Sequence, residues 1–235
     1  MAHARIQPSS LSRILECPAS IRLSEESPVI DKGSPAAEAG TVQHQMFERA
    51  MQGREIEPDV VEFENLIAAN YCPKRAIRNV KMSVVAAEKL LSTYSAINVV
   101  LEQKVLCGAA ISRDDFWGTA DVLAWNNRTQ TLVVADLKTG LKRVNPEENP
   151  QLLAYAMGAR RVVAWRPTKI ALAIIQPTKC GIKPAVWETE TEYLDRFAER
   201  VAAAISEIEK AEPRPSDSAC QYCPARQVCA APYPL

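Results

Sequence analysis

The chain has 235 residues, of which 47% are hydrophobic and 24% are charged, so it can form one domain with a buried core. Its 28 basic and 28 acidic residues give a formal net charge of zero, which excludes a general coat of positive charge for nucleic acid. The sequence has no apolar run long enough to span a bilayer, and residues 1–12 lack the apolar segment of a secretory signal. We therefore expect no membrane contact and a cytoplasmic location, in a bacterial or phage-infected cell.

The hydrophobic pattern predicts helices first and strands later. The predicted elements, in chain order, are helices at 11–17, 35–51 and 58–97 (the last divided at Cys72-Pro73), strands at 97–106, 116–125 and 131–138, a helix at 149–164, strands at 169–176 and 183–189, and a helix at 190–211. Residues 25–35 are expected to form a loop. This order predicts an α/β fold, with a mixed sheet, helices on its faces, a helical N-terminal region and an irregular C-terminal tail.

Two aspartates fall at matching positions on the predicted hairpin of residues 116–138. Asp136 and Lys138 share one face of their strand, because successive strand side chains alternate. With a turn at 127–130, Asp121 lies opposite Asp136, with about 5 Å between their Cβ atoms. Two carboxylates this close repel unless a cation lies between them, and oxygen ligands suit Mg²⁺ or Mn²⁺. The alternative is a simple salt bridge between Asp136 and Lys138.

Phosphodiester hydrolysis is the chemistry that fits such a site. A divalent ion makes hydroxide available near neutral pH, and Lys138 would hold that nucleophile or stabilise the charge of the transition state. His44 follows Gly40 on a predicted helix, where it is either a structural histidine or an imidazole ligand. Gln151 and Tyr155 share a helix face at i and i+4, and taken alone they are more typical of a packed polar first turn.

Four of the seven cysteines have an informative spacing. Cys220, Cys223 and Cys229 form C-x2-C-x5-C in a polar tail, and Cys17 lies far upstream. Because no signal peptide is expected, metal ligation is favoured over disulfides. Four thiolates suit either an iron–sulfur cluster or a tetrahedral Zn²⁺ site. The other three, Cys72, Cys107 and Cys180, are expected to be small buried or half-buried side chains.

Taken in order, the motifs GTVQH, GTAD, DLK and QLLAY resemble the RecB-type branch of the PD-(D/E)XK nuclease superfamily. The resemblance covers residues 44–155 and implies a restriction-endonuclease-like fold and a DNA nuclease. It implies metal ligation by His44, Asp121, Asp136 and the Leu137 carbonyl, catalysis by Lys138, positioning by Gln151 and Tyr155, and an accessory role for Glu102. One departure is Asp136, where glutamate is the commoner residue.

The cysteine pattern is similar to that of the iron–sulfur members of the same superfamily, the AddB nuclease domain and the CRISPR-associated exonucleases. That similarity implies a [4Fe–4S] cluster held by Cys17, Cys220, Cys223 and Cys229, with structural Zn²⁺ as the alternative. A cluster would tie the two chain ends together, and its binding free energy would contribute to folding.

These observations predict a single nuclease domain over residues 1–235, with a helical part at 1–97, a sheet-bearing core at 98–212 and a cluster-binding tail at 213–235. Exonuclease action on single-stranded DNA or DNA ends is the expected activity, with Lys142 and Arg143 as DNA contacts. Recombination or replication proteins are the expected partners. The first alternative is a catalytically inert DNA-end binding module of a larger recombination or processing complex. The second is a zinc-stapled protein that acts on RNA.

Overall fold

A five-stranded mixed sheet forms the centre of the computed structural model, which describes residues 4–28, 34–161, 166–178 and 181–231. The strands are β1 Asn98–Val105, β2 Gly118–Asn126, β3 Thr131–Leu137, β4 Lys169–Ile175 and β5 Ala185–Glu190. They lie side by side in sequence order. Every neighbouring pair is antiparallel except β3 and β4, which are parallel.

Helices cover both faces of this sheet. The helices of the described ranges are α1 Leu11–Glu16, α2 Ser20–Glu26, α3 Pro35–Met51, α4 Val60–Ala68, α5 Pro73–Thr93, α6 Pro150–Ala159, α7 Thr191–Ser206 and α8 Asp217–Gln221. None of the helices in these ranges is long and apolar enough to cross a membrane. The predicted restriction-endonuclease-like architecture, a mixed sheet flanked by helices, is confirmed.

The sequence of strand β3 is almost entirely apolar, because both of its faces are covered by helices. Leu132 and Val134 pack into the core shared with α6 and α7, whereas Val133, Ala135 and Leu137 pack into the core shared with α3 and α5. A strand covered on both faces needs apolar residues at every position. The charged residue Asp136 near its end is therefore an exception that requires its own explanation.

The β2–β3 hairpin has the register that the sequence predicts. Its turn occupies residues 127–130, where the Asn126 side chain accepts hydrogen bonds from the backbone N–H groups of Arg128 and Thr129 at 2.9 and 3.3 Å. The ladder pairs Val122 with Ala135. One residue further along, Asp121 lies opposite Asp136.

Several of the predicted boundaries differ from the structure. The extra helix α2 extends to Glu26, into the stretch expected to be a loop; it forms because Pro18 ends one helix and is tolerated just before the next. The predicted helix at 149–164 is observed as α6, with Arg160 as its C-cap, and residues 162–164 lie outside the described ranges. Helix α7 ends at Ser206, since residues 207–210 form turns.

Two of the remaining cysteines can be compared with expectation. Cys107 is buried, as predicted. The prediction for Cys72 is wrong, because this residue is the N-cap of α5 at an exposed helix–helix corner. Cys180 lies outside the described residues.

Candidate active site

Asp121 and Asp136 meet where β2 begins and β3 ends. Both side chains are buried, with 6% and 3% of the residue exposed. The backbone N–H of Leu137 donates to Asp121 Oδ2 at 2.6 Å, which fixes this carboxylate and leaves its other oxygen turned towards α3. Burial and then the charge of Asp121 raise the pKa of Asp136 to about 6. The two carboxylates therefore repel each other in a site with little water.

His44 reaches these acids from α3. Its Nδ1 atom lies 3.0 Å from Asp121 Oδ1. Burial alone would lower the pKa of His44, but the hydrogen bond to Asp121 and the surrounding carboxylates raise it overall. Gly40 makes the approach of α3 possible, since a Cβ atom there would lie 3.2 Å from Thr139 Oγ1, just beyond the end of β3.

Glu102 joins the site from β1 in an unusual backbone conformation. Its φ of +46° lies in the left-handed region, which is rare for a residue other than glycine inside a strand. The β1–β2 ladder pairs Leu101 with Val122 and Gln103 with Ala120, so Glu102 lies opposite Asp121. Burial and the charge of Asp121 raise the pKa of Glu102 to about 7. The sequence indicates only an accessory acid at Glu102, because the pairing of β1 with β2 leaves no local pattern in the sequence.

Three of these side chains have the donor set of a divalent cation site. Ligand atoms of His44, Glu102 and Asp121 all lie within 4.8 Å of one another. Within the described residues, Glu102 Oε1 is buried and has no hydrogen-bond partner. An unsatisfied carboxylate oxygen in a buried site is costly unless a cation or a donor meets it. The residues present therefore fit a bound Mg²⁺ or Mn²⁺ ion.

Asp136 is not one of that closest trio, because it is engaged by two other residues. Lys138 Nζ lies 2.8 Å from Asp136 Oδ2, and Gln151 Nε2 donates to Asp136 Oδ1 at 2.8 Å. Gln151 Oε1 in turn accepts from Lys138 Nζ at 2.8 Å. These three side chains form a closed triangle of contacts. The alternative salt bridge between Asp136 and Lys138 is present, and it lies inside the acidic cluster.

Tyr155 lies beneath this triangle on α6. The residue is 5% exposed, its side chain interacts with that of Gln151, and burial raises its pKa above the ordinary value. Its ring also packs beside Gly118, where a Cβ atom would lie 3.2 Å from Tyr155 Cε1. The structure therefore places Tyr155 behind Gln151, where it supports that side chain.

The loop that follows Lys138 carries the predicted DNA contacts. Lys142 and Arg143 are both exposed, and Lys142 Nζ donates to Gln221 Oε1 of α8 at 3.0 Å. Gln176 fixes the loop backbone: its amide donates to the carbonyls of Gly140 and Lys142 at 2.7 and 2.8 Å and accepts from Val144 N–H at 3.1 Å. Gln176 is not predictable from the sequence, because it follows β4 and contacts this loop only in the folded chain.

The four spaced cysteines come together around one small cavity between the chain ends. Cys17, Cys220, Cys223 and Cys229 all line it. Cys17 is 6% exposed, and its Sγ atom accepts a hydrogen bond from Arg214 N–H at 3.3 Å. Among the described residues, no three of these sulfur atoms lie within 4.8 Å of one another. A tetrahedral zinc site with Zn–S bonds of about 2.3 Å needs sulfur atoms about 3.8 Å apart.

The model of the family described as "Protein of unknown function (DUF2800)" matches residues 3–233 of the chain. Two solved structures are similar at low identity. The crystal structure of SSO0001 shares 17% identity, covers 96% of this chain and 86% of that chain, and gives a TM-score of 0.41. The crystal structure of LHK-Exo in complex with dAMP shares 10% identity, with 87% of each chain covered and a TM-score of 0.40. Likeness at this distance carries no argument about activity, which has to rest on the site itself.

Proposed function

The chain belongs to this DUF2800 family, and we propose that it is a divalent-metal-dependent nuclease that hydrolyses phosphodiester bonds in DNA. One observation carries the proposal: His44, Glu102 and Asp121 converge within 4.8 Å, beside a buried Asp136 that is paired with Lys138. Three acids, an imidazole and an ammonium group lie close together, and two of the acids are buried, so their desolvation and repulsion are costly unless a cation offsets them.

In this proposal His44, Asp121 and Glu102 hold the ion, and Asp136 and the Leu137 carbonyl complete its shell. Bound Mg²⁺ or Mn²⁺ would lower the pKa of a water molecule and polarise a phosphoryl oxygen. Asp121 is well prepared as a ligand, because Leu137 N–H holds one of its oxygens in place. In contrast, Glu102 Oε1 has no hydrogen-bond partner in the described part of the chain, so this oxygen could bind a cation.

Lys138 is the proposed catalytic residue. The Lys138 side chain is 27% exposed, so it borders on solvent. Its ammonium group lies between Asp136 and Gln151. From that position it would orient the attacking water or stabilise the charge that builds on the phosphate. Gln151 is a positioning residue, because its amide contacts both members of the ion pair and so sets their separation.

Substrate preference rests on the loop of residues 139–144. With a net charge of zero, the chain must bind a polyanion through local cations, and Lys142 and Arg143 are exposed beside the proposed site. Because the Gln176 amide hydrogen-bonds the backbone of this loop, both cations would be held in position to contact a phosphate backbone. Exonuclease action on single strands or ends is our preferred mode, and RNA is the competing substrate.

We further propose that Cys17, Cys220, Cys223 and Cys229 bind a [4Fe–4S] cluster. The supporting observation is that all four cysteines line one cavity. The preference for a cluster over zinc rests on the similarity of the cysteine pattern to the iron–sulfur nucleases. The hydrogen bond from Arg214 N–H to Cys17 Sγ is of the kind that stabilises a thiolate ligand.

A cleavage assay tests the nuclease proposal. End-labelled single-stranded DNA, duplex DNA and RNA are incubated with Mn²⁺ and either the wild type, Asp136→Ala or Lys138→Ala. We expect cleavage of DNA by the wild type and a loss of at least about 100-fold in either variant. Asp136→Ala removes a carboxylate from the proposed shell of the ion, and Lys138→Ala removes the ammonium group that would stabilise charge at the reacting phosphate. Asp114→Ala is the control, since Asp114 is an exposed acid outside the site.

The outcomes separate the alternatives. Absence of cleavage on all three nucleic acids, with DNA-end binding retained, would replace the enzyme by a binding module. Faster cleavage of RNA than of DNA would change the substrate. Equal activity of Asp136→Ala and wild type would show that the Asp136–Lys138 pair takes no part in catalysis.

A further inference from the structure

The outer side of α4 is an apolar surface with acidic charge. Val60, Phe63 and Ile67 are exposed by 74%, 48% and 55%, and Glu64 lies among them. Val60, Glu64 and Ile67 follow each other at spacings of four and three, so they share one side of the helix. We call these four residues the α4 face.

The rest of α4 is firmly attached to its own chain, which fixes the direction of the α4 face. Leu66 is fully buried against the α3–α5 core, and Glu62 accepts two hydrogen bonds from Arg49, at 2.6 and 2.7 Å. Asp59 and Glu62 also form a capping box at the helix start. The α4 face therefore points away from the molecule, and residues 55–73 around it contain five acidic residues and no basic ones.

A groove of opposite charge lies between α5 and the segment that leads into β5. Its volume is about 730 Å³, and its apolar walls come from Met82, Val85, Ile182, Pro184 and Val186. Val85 is 64% exposed and Val186 is 39% exposed, so a partner can reach both. Strand β5 is the last strand of the sheet, so the groove lies at an edge of the sheet.

Three lysines surround this apolar floor. Lys81, Lys89 and Lys183 line the groove, and no carboxylate is among the described residues that line it. Lys81, Val85 and Lys89 are four residues apart, so one stripe of α5 carries an apolar side chain between two cations. Within the described residues, none of the three lysines forms an ion pair with an acid of its own chain. The groove therefore carries positive charge, whereas the α4 face carries negative charge.

We propose that these two surfaces bind each other between molecules: the α4 face of one copy docks into the basic groove of a second copy. Val60, Phe63 and Ile67 would cover the apolar floor, which removes exposed hydrophobic area from both partners. Glu64 would lie between the lysines of the rim, where charge complementarity fixes the orientation.

Because the two surfaces differ, each copy uses one of each. The contact is heterologous, and successive copies add head to tail until the assembly closes into a ring or continues as a filament. Ion pairs at its rim make the association weaker at high salt. This inference does not depend on the proposed nuclease activity.

Sedimentation velocity on the full chain tests it. We expect the wild type to form species above the monomer mass as concentration rises, and less so at high salt. Lys81→Glu/Lys89→Glu removes the groove charge, and Glu64→Lys/Ile67→Ser removes the α4 face. All four positions are at the surface, so circular dichroism should show an unchanged fold, and each variant alone should remain a monomer.

Mixing the two variants provides the decisive control. The groove variant keeps its α4 face and the face variant keeps its groove, so an equimolar mixture can form only one productive contact. A species of about twice the monomer mass is therefore expected in the mixture alone. A wild type that stays monomeric, or a mixture without dimer, overturns the proposal. The proposal is also overturned if the groove variant self-associates like the wild type but no longer binds DNA, because the groove would then be a nucleic-acid-binding surface.

Discussion

At the scale of single residues, Glu102 is the most informative side chain. A non-glycine residue in the left-handed region costs on the order of 1–3 kcal/mol, and here it also brings a third carboxylate beside Asp121 and Asp136. Repulsion among these acids destabilises the fold when no cation is bound. A bound divalent ion would reverse the sign of the effect, because each carboxylate would then face a charge of +2.

The pH dependence of stability should show this repulsion in chelated protein. The pKa of Glu102 is raised from 4.5 to about 7, so folding keeps its proton on. Stability associated with this group is complete below 4.5 and is lost as pH rises through about 7. In EDTA we expect the Tm of wild type to fall between about pH 5 and pH 8, and Glu102→Gln to fall less over the same range.

Glu199→Gln supplies the matched control, because Glu199 is exposed on α7 and belongs neither to the proposed metal site nor to the α4 face. Saturating Mn²⁺ should invert the order, with wild type gaining more Tm than Glu102→Gln, since binding to the native state alone stabilises it. An identical pH profile for Glu102→Gln and wild type in EDTA would show that Glu102 carries no such repulsion.

At the scale of elements, the position of α6 decides whether Gln151 meets Asp136. The C-terminal half of α6 packs tightly against the end of β1 through Gly158. A Cβ atom there would lie 2.5 Å from Val105 Cγ1 and 3.0 Å from Cys107 Cα. Because these neighbours are buried and one of them is backbone, they cannot easily move away.

Gly158→Ala should therefore destabilise the protein by about 1–3 kcal/mol, as overpacking in a dense core does. Denaturant unfolding followed by circular dichroism measures the change. Gly140→Ala is the control, since a Cβ atom at Gly140 has nothing within 4 Å and its φ is not in the positive range. Equal stability of the two variants would mean that α6 packs less closely than described.

At the scale of the whole molecule, the two chain ends meet at the cysteine cavity. Glu16 accepts hydrogen bonds from the hydroxyls of Ser216 and Ser218, each at 2.6 Å, and Arg13 donates to the Tyr222 carbonyl at 2.8 Å. The apolar contact between the ends is small, with mainly Cys17 and alanines buried in it. These contacts support our proposal of one domain over residues 1–235, in which the tail depends on a bound cluster.

Cys17→Ser should uncouple the tail. In anaerobically purified wild type we expect a brown colour and iron by elemental analysis, and we expect both to be lost in the variant. Residues 213–231 should then become sensitive to protease, and Tm should fall by several degrees because cluster binding contributes to folding.

Asp136→Ala controls for damage elsewhere, since it alters the proposed active site and should keep its iron. A colourless wild type that contains zinc would replace the cluster by a structural Zn²⁺ site. A wild type with neither metal would leave the four thiols without a shared ligand.

The sequence by itself determined the features that depend on neighbours along the chain. The four-residue turn at 127–130 sets the β2–β3 register, and the register puts Asp121 opposite Asp136. Side-chain alternation puts Lys138 beside Asp136, and the order of the predicted helices and strands indicates a mixed sheet flanked by helices. These relations are local, so periodicity and turn chemistry are enough to predict them.

Only the tertiary structure decided which distant residues complete each site. Glu102 joins the acids through a β1–β2 pairing across an irregular connection, and Gln176 reaches the loop after Lys138 from another strand. Cys17 meets Cys220 from the opposite chain end, and the groove between α5 and β5 combines two remote segments. Such contacts depend on how helices and strands pack in three dimensions, and hydrophobic periodicity within one element carries no information about its distant neighbours.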